Sequence, residues 1–122
     1  MHARCLIVDD NAGFLRAACR IVEGGGINVV GVASTGSEAL RRARELKPDI
    51  VLLDIDLGPE SGFDIAAQLT SGGDAPVPTV ILISTHAEQD FTDLIADSPA
   101  AGFVSKADLS AAAIRGVVSR ER

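Results

Sequence analysis

The feature that most constrains this chain is an alternation. Short apolar runs rich in β-branched residues trade places with longer stretches of helical period, as in βα units wound around a parallel sheet. Five such runs are present, at Arg4 to Val8, Asn28 to Ala33, Ile50 to Leu53, Thr79 to Ile83 and Gly102 to Val104. Between them the spacing predicts helices over Phe14 to Glu23, Gly36 to Glu45, Gly62 to Leu69 and Glu88 to Ile95, with a last helix from Leu109 to about Ser119. The first, third and fourth runs are nearly unbroken Val, Ile and Leu, the composition of strands covered by helices on both faces. Glycines and prolines fall where the helices should stop: Gly24-Gly25-Gly26, Lys47-Pro48-Asp49 and Gly72-Gly73-Asp74. Ser37 with Glu38, and Asp108 before Leu109, suit helix starts, where a short polar or acidic side chain meets free amides.

This pattern predicts an α/β fold of the doubly wound, flavodoxin-like kind: a (βα)5 three-layer sandwich with a five-stranded parallel sheet in the order 2-1-3-4-5. The 122 residues, 47% of them hydrophobic, suit one domain spanning residues 1–122 with one compact core. The longest apolar stretches, such as Val77 to Ile83 broken by Pro78 and Thr79, are far short of the roughly 20 residues of a membrane span, and no signal-like leader opens the chain, so a cytoplasmic location is expected. Cys5 and Cys19 lack CxxC spacing and are read as buried reduced thiols. A net charge of −6 argues against direct binding of nucleic acid by this segment.

In an open parallel sheet the ligand crevice lies beyond the carboxyl ends of the strands. Four of the five runs end there in polar groups. The first is followed by Asp9-Asp10, the third by Asp54 and Asp56, the fourth by Ser84-Thr85 and the fifth by Ser105-Lys106. A single carboxylate at a strand end is an ordinary turn residue. The order 2-1-3-4-5, however, makes the first and third strands neighbours and so gathers Asp9, Asp10 and Asp54. Two unit charges about 4 Å apart repel by roughly 4 kcal/mol at an effective dielectric of ~20, so the cluster calls for a counter-charge. Oxygen-only ligation suits Mg²⁺, or Mn²⁺, better than zinc. With Lys106 as a second cation and the Ser84 hydroxyl as a donor, these are the parts used in phosphoryl transfer to a carboxylate.

Leu-Ile-Val-Asp9-Asp10, Asp-Ile-Val-Leu-Leu-Asp54-Ile, Val-Ile-Leu-Ile-Ser84 and Gly-Phe103-Val-Ser-Lys106 resemble the receiver domain of two-component response regulators, in spacing as well as in residue type. The resemblance runs from about Arg4 to the last helix. It implies that Asp54 accepts a phosphoryl group from a sensor histidine kinase or phosphotransfer protein, with Lys106 contacting that group. It also implies that Asp10, Asp54 and the Asp56 backbone carbonyl ligate the metal, with Asp9 helping through water. Ser84 and Phe103 take the family's switch positions, which reshape the face formed by the fourth helix, fifth strand and fifth helix. Asp56 and His86 take positions that influence how long the acyl phosphate lasts. The first helix, with Phe14, Leu15 and Ile21, is where the family's kinases dock, although most of those side chains must serve the core. Such a domain is not a conventional enzyme, since it catalyses only its own phosphorylation and dephosphorylation, and phosphorylation can bring a homodimer with it. Gly-Phe-Val-Ser-Lys-Ala-Asp-Leu is similar to receivers that carry a helix-turn-helix DNA-binding output domain, which places transcription regulation among the expected outputs.

Three departures bear on loop shape rather than on chemistry. Ala107 stands where the family often has Pro, Phe103 lacks the hydroxyl of the commoner Tyr, and Pro59 sits one residue late, although Gly62 keeps its place. Three rival readings remain. Asp54-Ile-Asp56 resembles the Asp-x-Asp of haloacid-dehalogenase-like phosphatases, but that motif normally follows the first strand. Nucleotide binding is opposed by a glycine cluster that follows a helix and lacks GxGxxG spacing. A receiver-fold interaction module that is never phosphorylated is opposed by the intact set of acidic, hydroxyl and lysine residues.

Overall fold

The structure is a computed structural model and describes residues 3–71, 77–85 and 90–120. Its elements run β1 (Arg4–Val8), α1 (Ala12–Gly24), β2 (Asn28–Ala33), α2 (Gly36–Leu46), β3 (Ile50–Asp54), β4 (Asp56–Leu57), β5 (Glu60–Ser61), α3 (Gly62–Thr70), β6 (Thr79–Ser84), α4 (Thr92–Asp97), β7 (Gly102–Ser105), a 3-10 turn (Lys106–Asp108) and α5 (Ala111–Arg120). The sheet is parallel throughout, in the order β2-β1-β3-β6-β7, which is the predicted order with β6 and β7 as its fourth and fifth strands.

Period-2 alternation sorts the strand side chains into two apolar layers. Cys5, Ile7, Ile50, Leu52, Ile81 and Ile83 face one way and pack with Ala18 and Val22 of α1 and Ile114 and Val117 of α5. Leu6, Val8, Val51, Leu53, Val80 and Leu82 face the other and pack with Ala39 of α2 and Ile65, Ala66 and Leu69 of α3. Because both faces are covered, the strands need apolar residues at every position, and the unbroken Val/Ile/Leu runs supply them.

The helix starts depart from the sequence expectations in instructive ways. The first helix begins at Ala12 rather than Phe14, because Asn11 caps it by accepting from Phe14 N at 2.9 Å. In α2 the cap is Thr35 rather than Ser37: its hydroxyl accepts from Glu38 N while Glu38 accepts from Ser34 N, one residue beyond a strict capping box. For α5 the side chain that caps is Ser110, which accepts from Ala113 N, so Asp108 ends a 3-10 turn instead of opening the helix. The fourth helix is only Thr92–Asp97, against an expected Glu88 to Ile95; residues 86–89, and the Gly72-Gly73-Asp74 stop of the third helix, lie outside the described residues. Three strands run one residue further than expected, which makes Asp54, Ser84 and Ser105 their last members. Cys5 is fully buried, whereas Cys19 is only partly so, which corrects the reading of two buried thiols; both are free.

Candidate functional site

The register of the central strands assembles the site. Val8 of β1 pairs with Leu53 of β3, so the residues that follow them, Asp9 and Asp54, emerge side by side at the carboxyl end of the sheet. Asp9 N still donates to Ala33 O at 3.0 Å, holding Asp9 in line with the strand. Asp54 continues the Ile50-Leu52 side of β3 and therefore stands on the α1/α5 face; Asp9 continues the Cys5-Ile7 side in the same way. Ser84 follows the opposite parity, that of Val80 and Leu82, and is fully buried opposite Ser105.

Asp9 is 0% and Asp54 4% exposed, while Asp10 is exposed. Oxygen atoms of the three carboxylates lie within 4.8 Å of one another. Lys106, carried in by the turn after β7, answers their charge. Its Nζ is 2.6 Å from Asp9 Oδ2 and 3.3 Å from Asp54 Oδ2. The remaining carboxylate oxygens are tied to backbone amides: Asp9 Oδ1 accepts from Asn11 N at 2.8 Å and Asp54 Oδ1 from Asp56 N at 3.1 Å. Those two bonds fix the rotamers of both side chains.

Burial pushes the Asp54 carboxyl up from 3.8 to about 6, and the neighbouring Asp9 adds to the rise; Lys106 and the Asp56 amide oppose it. Burial also works against the Lys106 ammonium, but its contacts with Asp9 and Asp54 outweigh that and raise its pKa. The Cys5 thiol is pushed up to about 12 by burial, so it is an inert core group rather than a nucleophile.

The donor set fits a hard divalent cation. It is all oxygen and rich in negative charge, and one of its three members is open to solvent, which leaves room for water. Among the described residues Asp9 Oδ2 is buried with the Lys106 ammonium 2.6 Å away, and a carboxylate oxygen so engaged keeps a further lone pair to give. Two glycines shape the rim. Gly58 has φ +61, and a Cβ there would stand 3.6 Å from Asp10 Oδ2. At Gly62 a Cβ would run into the backbone of Asp54 and Ile55, so only glycine lets α3 begin this close to the acidic strand end.

Of the residues singled out from sequence, Asp9, Asp10, Asp54 and Lys106 come together. Asp56 joins them through its amide and is itself exposed. Ser84 is fully buried at the end of β6, and Phe103 is partly buried against the layer under α2 and α3. His86 lies outside the described residues. Sequence reasoning missed Asn11, whose position before a helical run was a readable cap signal. It also missed Glu60, which accepts from Gly36 N at 2.8 Å and ties the β4-β5 hairpin to the start of α2. Phe14 was assigned to the core and a docking face, yet its ring lies 4.4 Å from Lys106 Nζ. No local signal could have paired residues so distant in sequence.

A family model, the response regulator receiver domain, matches residues 5–115. The chain belongs to that family. Among curated relatives it is 34% identical over 107 residues to the response regulator GacA of Pseudomonas viridiflava, covering 84% of this chain and 48% of that one. It is also 34% identical over 108 residues to a protein-glutamate methylesterase/protein-glutamine glutaminase of Idiomarina loihiensis, covering 87% of this chain and 28% of the relative. The receiver chain thus spans between about a quarter and a half of the length of these relatives. The signal receiver domain of the putative response regulator NarL from Mycobacterium tuberculosis superposes with a TM-score of 0.83 at 29% identity, covering 98% of each chain. This is a receiver domain of the two-component type, and among the described residues no helix is long and apolar enough to cross a membrane.

Proposed function

We propose that Asp54 is the phosphoacceptor of this receiver and that the reaction depends on Mg²⁺ or Mn²⁺ held by Asp10, Asp54 and the Asp56 backbone carbonyl, with Asp9 assisting. The observation that carries the reading is the placement of the Asp54 carboxylate, 4% exposed, between a lysine ammonium and two further carboxylates. With a pKa of about 6, the carboxylate is mostly ionised at neutral pH and more basic than an ordinary Asp.

In the transfer, an Asp54 oxygen attacks the phosphorus of a phosphohistidine on a sensor kinase or phosphotransfer protein; the P–N bond breaks and the histidine leaves. The bound cation supplies charge neutralisation for the transferring oxygens. Lys106 supplies the second positive charge from the other side. The acyl phosphate adds roughly −1.5 to −2 charge to the pocket, which draws the Ser84 hydroxyl toward it and lets Phe103 turn inward behind it. The surface of α4, β7 and α5 is then the output face, open to a second copy of the domain. Asp56 and His86 tune the lifetime of the phosphorylated state. Residues 1–122 act as one cytoplasmic receiver domain that does not itself touch nucleic acid, and the output is transcription through a DNA-binding domain.

Intact-protein mass after incubation with phosphoramidate or acetyl phosphate tests the reading. One added phosphoryl group is expected, dependent on Mg²⁺ and absent from Asp54→Asn. No gain with either donor or with candidate kinases would favour an interaction module that is never phosphorylated.

A further inference from the structure

Lys106 has three ammonium hydrogens, and three groups surround its Nζ. Two are Asp9 Oδ2 at 2.6 Å and Asp54 Oδ2 at 3.3 Å. The third is the face of Phe14, whose centroid is 4.4 Å away, well inside the range in which a ring quadrupole attracts a cation. The helix turn that carries the ring is held in turn by the same network. Asp9 Oδ1 accepts from Asn11 N, and Asn11 Oδ1 accepts from Phe14 N, so the contacts close a loop from Asp9 through Asn11 and Phe14 to Lys106 and back to Asp9. Phe14 is partly buried at the margin of the α1/α5 layer, so one part of its ring packs on the core while its face meets the ammonium.

We infer that Phe14 is a positioning residue that holds the Lys106 ammonium over Asp54. The two carboxylate contacts are made to groups whose charge other ligands compete for, since a cation or a phosphoryl group at the acidic cluster engages the same oxygens. The ring face is neutral and is not competed for. It is therefore the contact that keeps the long lysine side chain, with its several rotatable bonds, in place while its charged partners change. The position needs an aromatic face and not merely an apolar filler. Only its consequence for phosphoryl uptake rests on the proposed function.

The experiment grades the ring without changing its shape. Phenylalanine at position 14 is replaced by difluoro and pentafluoro analogues, which progressively remove the negative potential of the face, and by Leu. The chain has two lysines, Lys47 and Lys106, so lysine-selective labelling gives two sets of signals, with the exposed Lys47 as the reference. In metal-free protein the Lys106 ε-methylene protons are expected upfield of those of Lys47. Exchange of its ammonium protons with water should quicken along the series, by about three- to tenfold for Phe14→Leu. Uptake from phosphoramidate should slow in the same order and by a similar factor. Unshifted Lys106 signals, or an exchange series that is flat across the fluorinated rings, would overturn the inference, the latter even if Phe14→Leu alone has an effect, because packing would then suffice. If wild type takes no phosphoryl group while the exchange series is graded, the positioning role stands and the phosphoacceptor reading falls.

Discussion

The centre of the sheet's carboxyl edge and its β6-β7 side are built differently. At β1 and β3, Asp9 and Asp54 are buried, each has a carboxylate oxygen bonded to a backbone amide, and the adjoining α1 is 13 residues long and side-chain capped by Asn11. At the other side, α4 has 6 residues, none of them buried, and no side-chain cap, and Leu94 is 54% exposed. The charged cluster is held by rigid surroundings, whereas α4, beside the residues proposed as the switch, contributes no fully buried side chain among the described residues. Groups that carry out phosphoryl chemistry need fixed geometry, and elements that report a change are drawn from the loosely attached parts of a fold.

The largest expected effect tests the rigid side. Leu52 lies on β3 beneath Asp54, is 0% exposed and belongs to the layer between the sheet, α1 and α5. Leu52→Ala should lower unfolding free energy by about 2–5 kcal/mol, read as a shift of the urea midpoint. A loss under about 1 kcal/mol would mean that the wall behind the acidic cluster gives way easily, and the contrast with α4 would disappear.

A smaller effect comes from the charge itself. The folded-state pKa of Asp54 is raised, so the folded protein holds this proton more tightly than the unfolded chain does. Its contribution to stability is complete below about pH 4 and is lost as pH rises through about 6. In chelator-treated buffer at pH 7.5, Asp54→Asn should therefore be more stable than wild type by about 2 kcal/mol, with the difference closing below pH 4. Equal stability at both pH values would mean that Lys106 fully compensates the burial of this carboxylate. That would recast the cluster as a stabilising ion-pair network instead of a site maintained at a cost.

Much of this contrast was legible in the residues. Unbroken Val/Ile/Leu runs gave the doubly covered sheet, and strand neighbours in the order 2-1-3-4-5 brought Asp9 and Asp54 together before any coordinates. Lys106 followed from its position after the last strand. Helix starts were less legible, because Thr35 and Ser37, or Asp108 and Ser110, are equally good capping types and only the backbone path decides between them. The β4-β5 hairpin, with two-residue strands, is too short for any periodicity to register. Contacts between distant elements, such as Glu60 with Gly36 and Phe14 with Lys106, depend on how whole helices pack and leave no local trace.

The smallest expected effect probes the loose side. Leu94 makes up part of α4 without entering either apolar layer, and Leu and Ala have similar helix propensities, so neither packing nor backbone preference should change much in Leu94→Ala. The shift in unfolding free energy should stay within about 0.5 kcal/mol. In the same samples, amide hydrogen exchange should show α4 opening at a free energy well below that of β3, whose amides open only with global unfolding. If α4 instead exchanged with the β3 set, and Leu94→Ala cost as much as a core truncation, α4 would belong to the rigid part of the molecule. The proposed switch would then have to work by moving a cooperative whole rather than by reordering one weakly held helix.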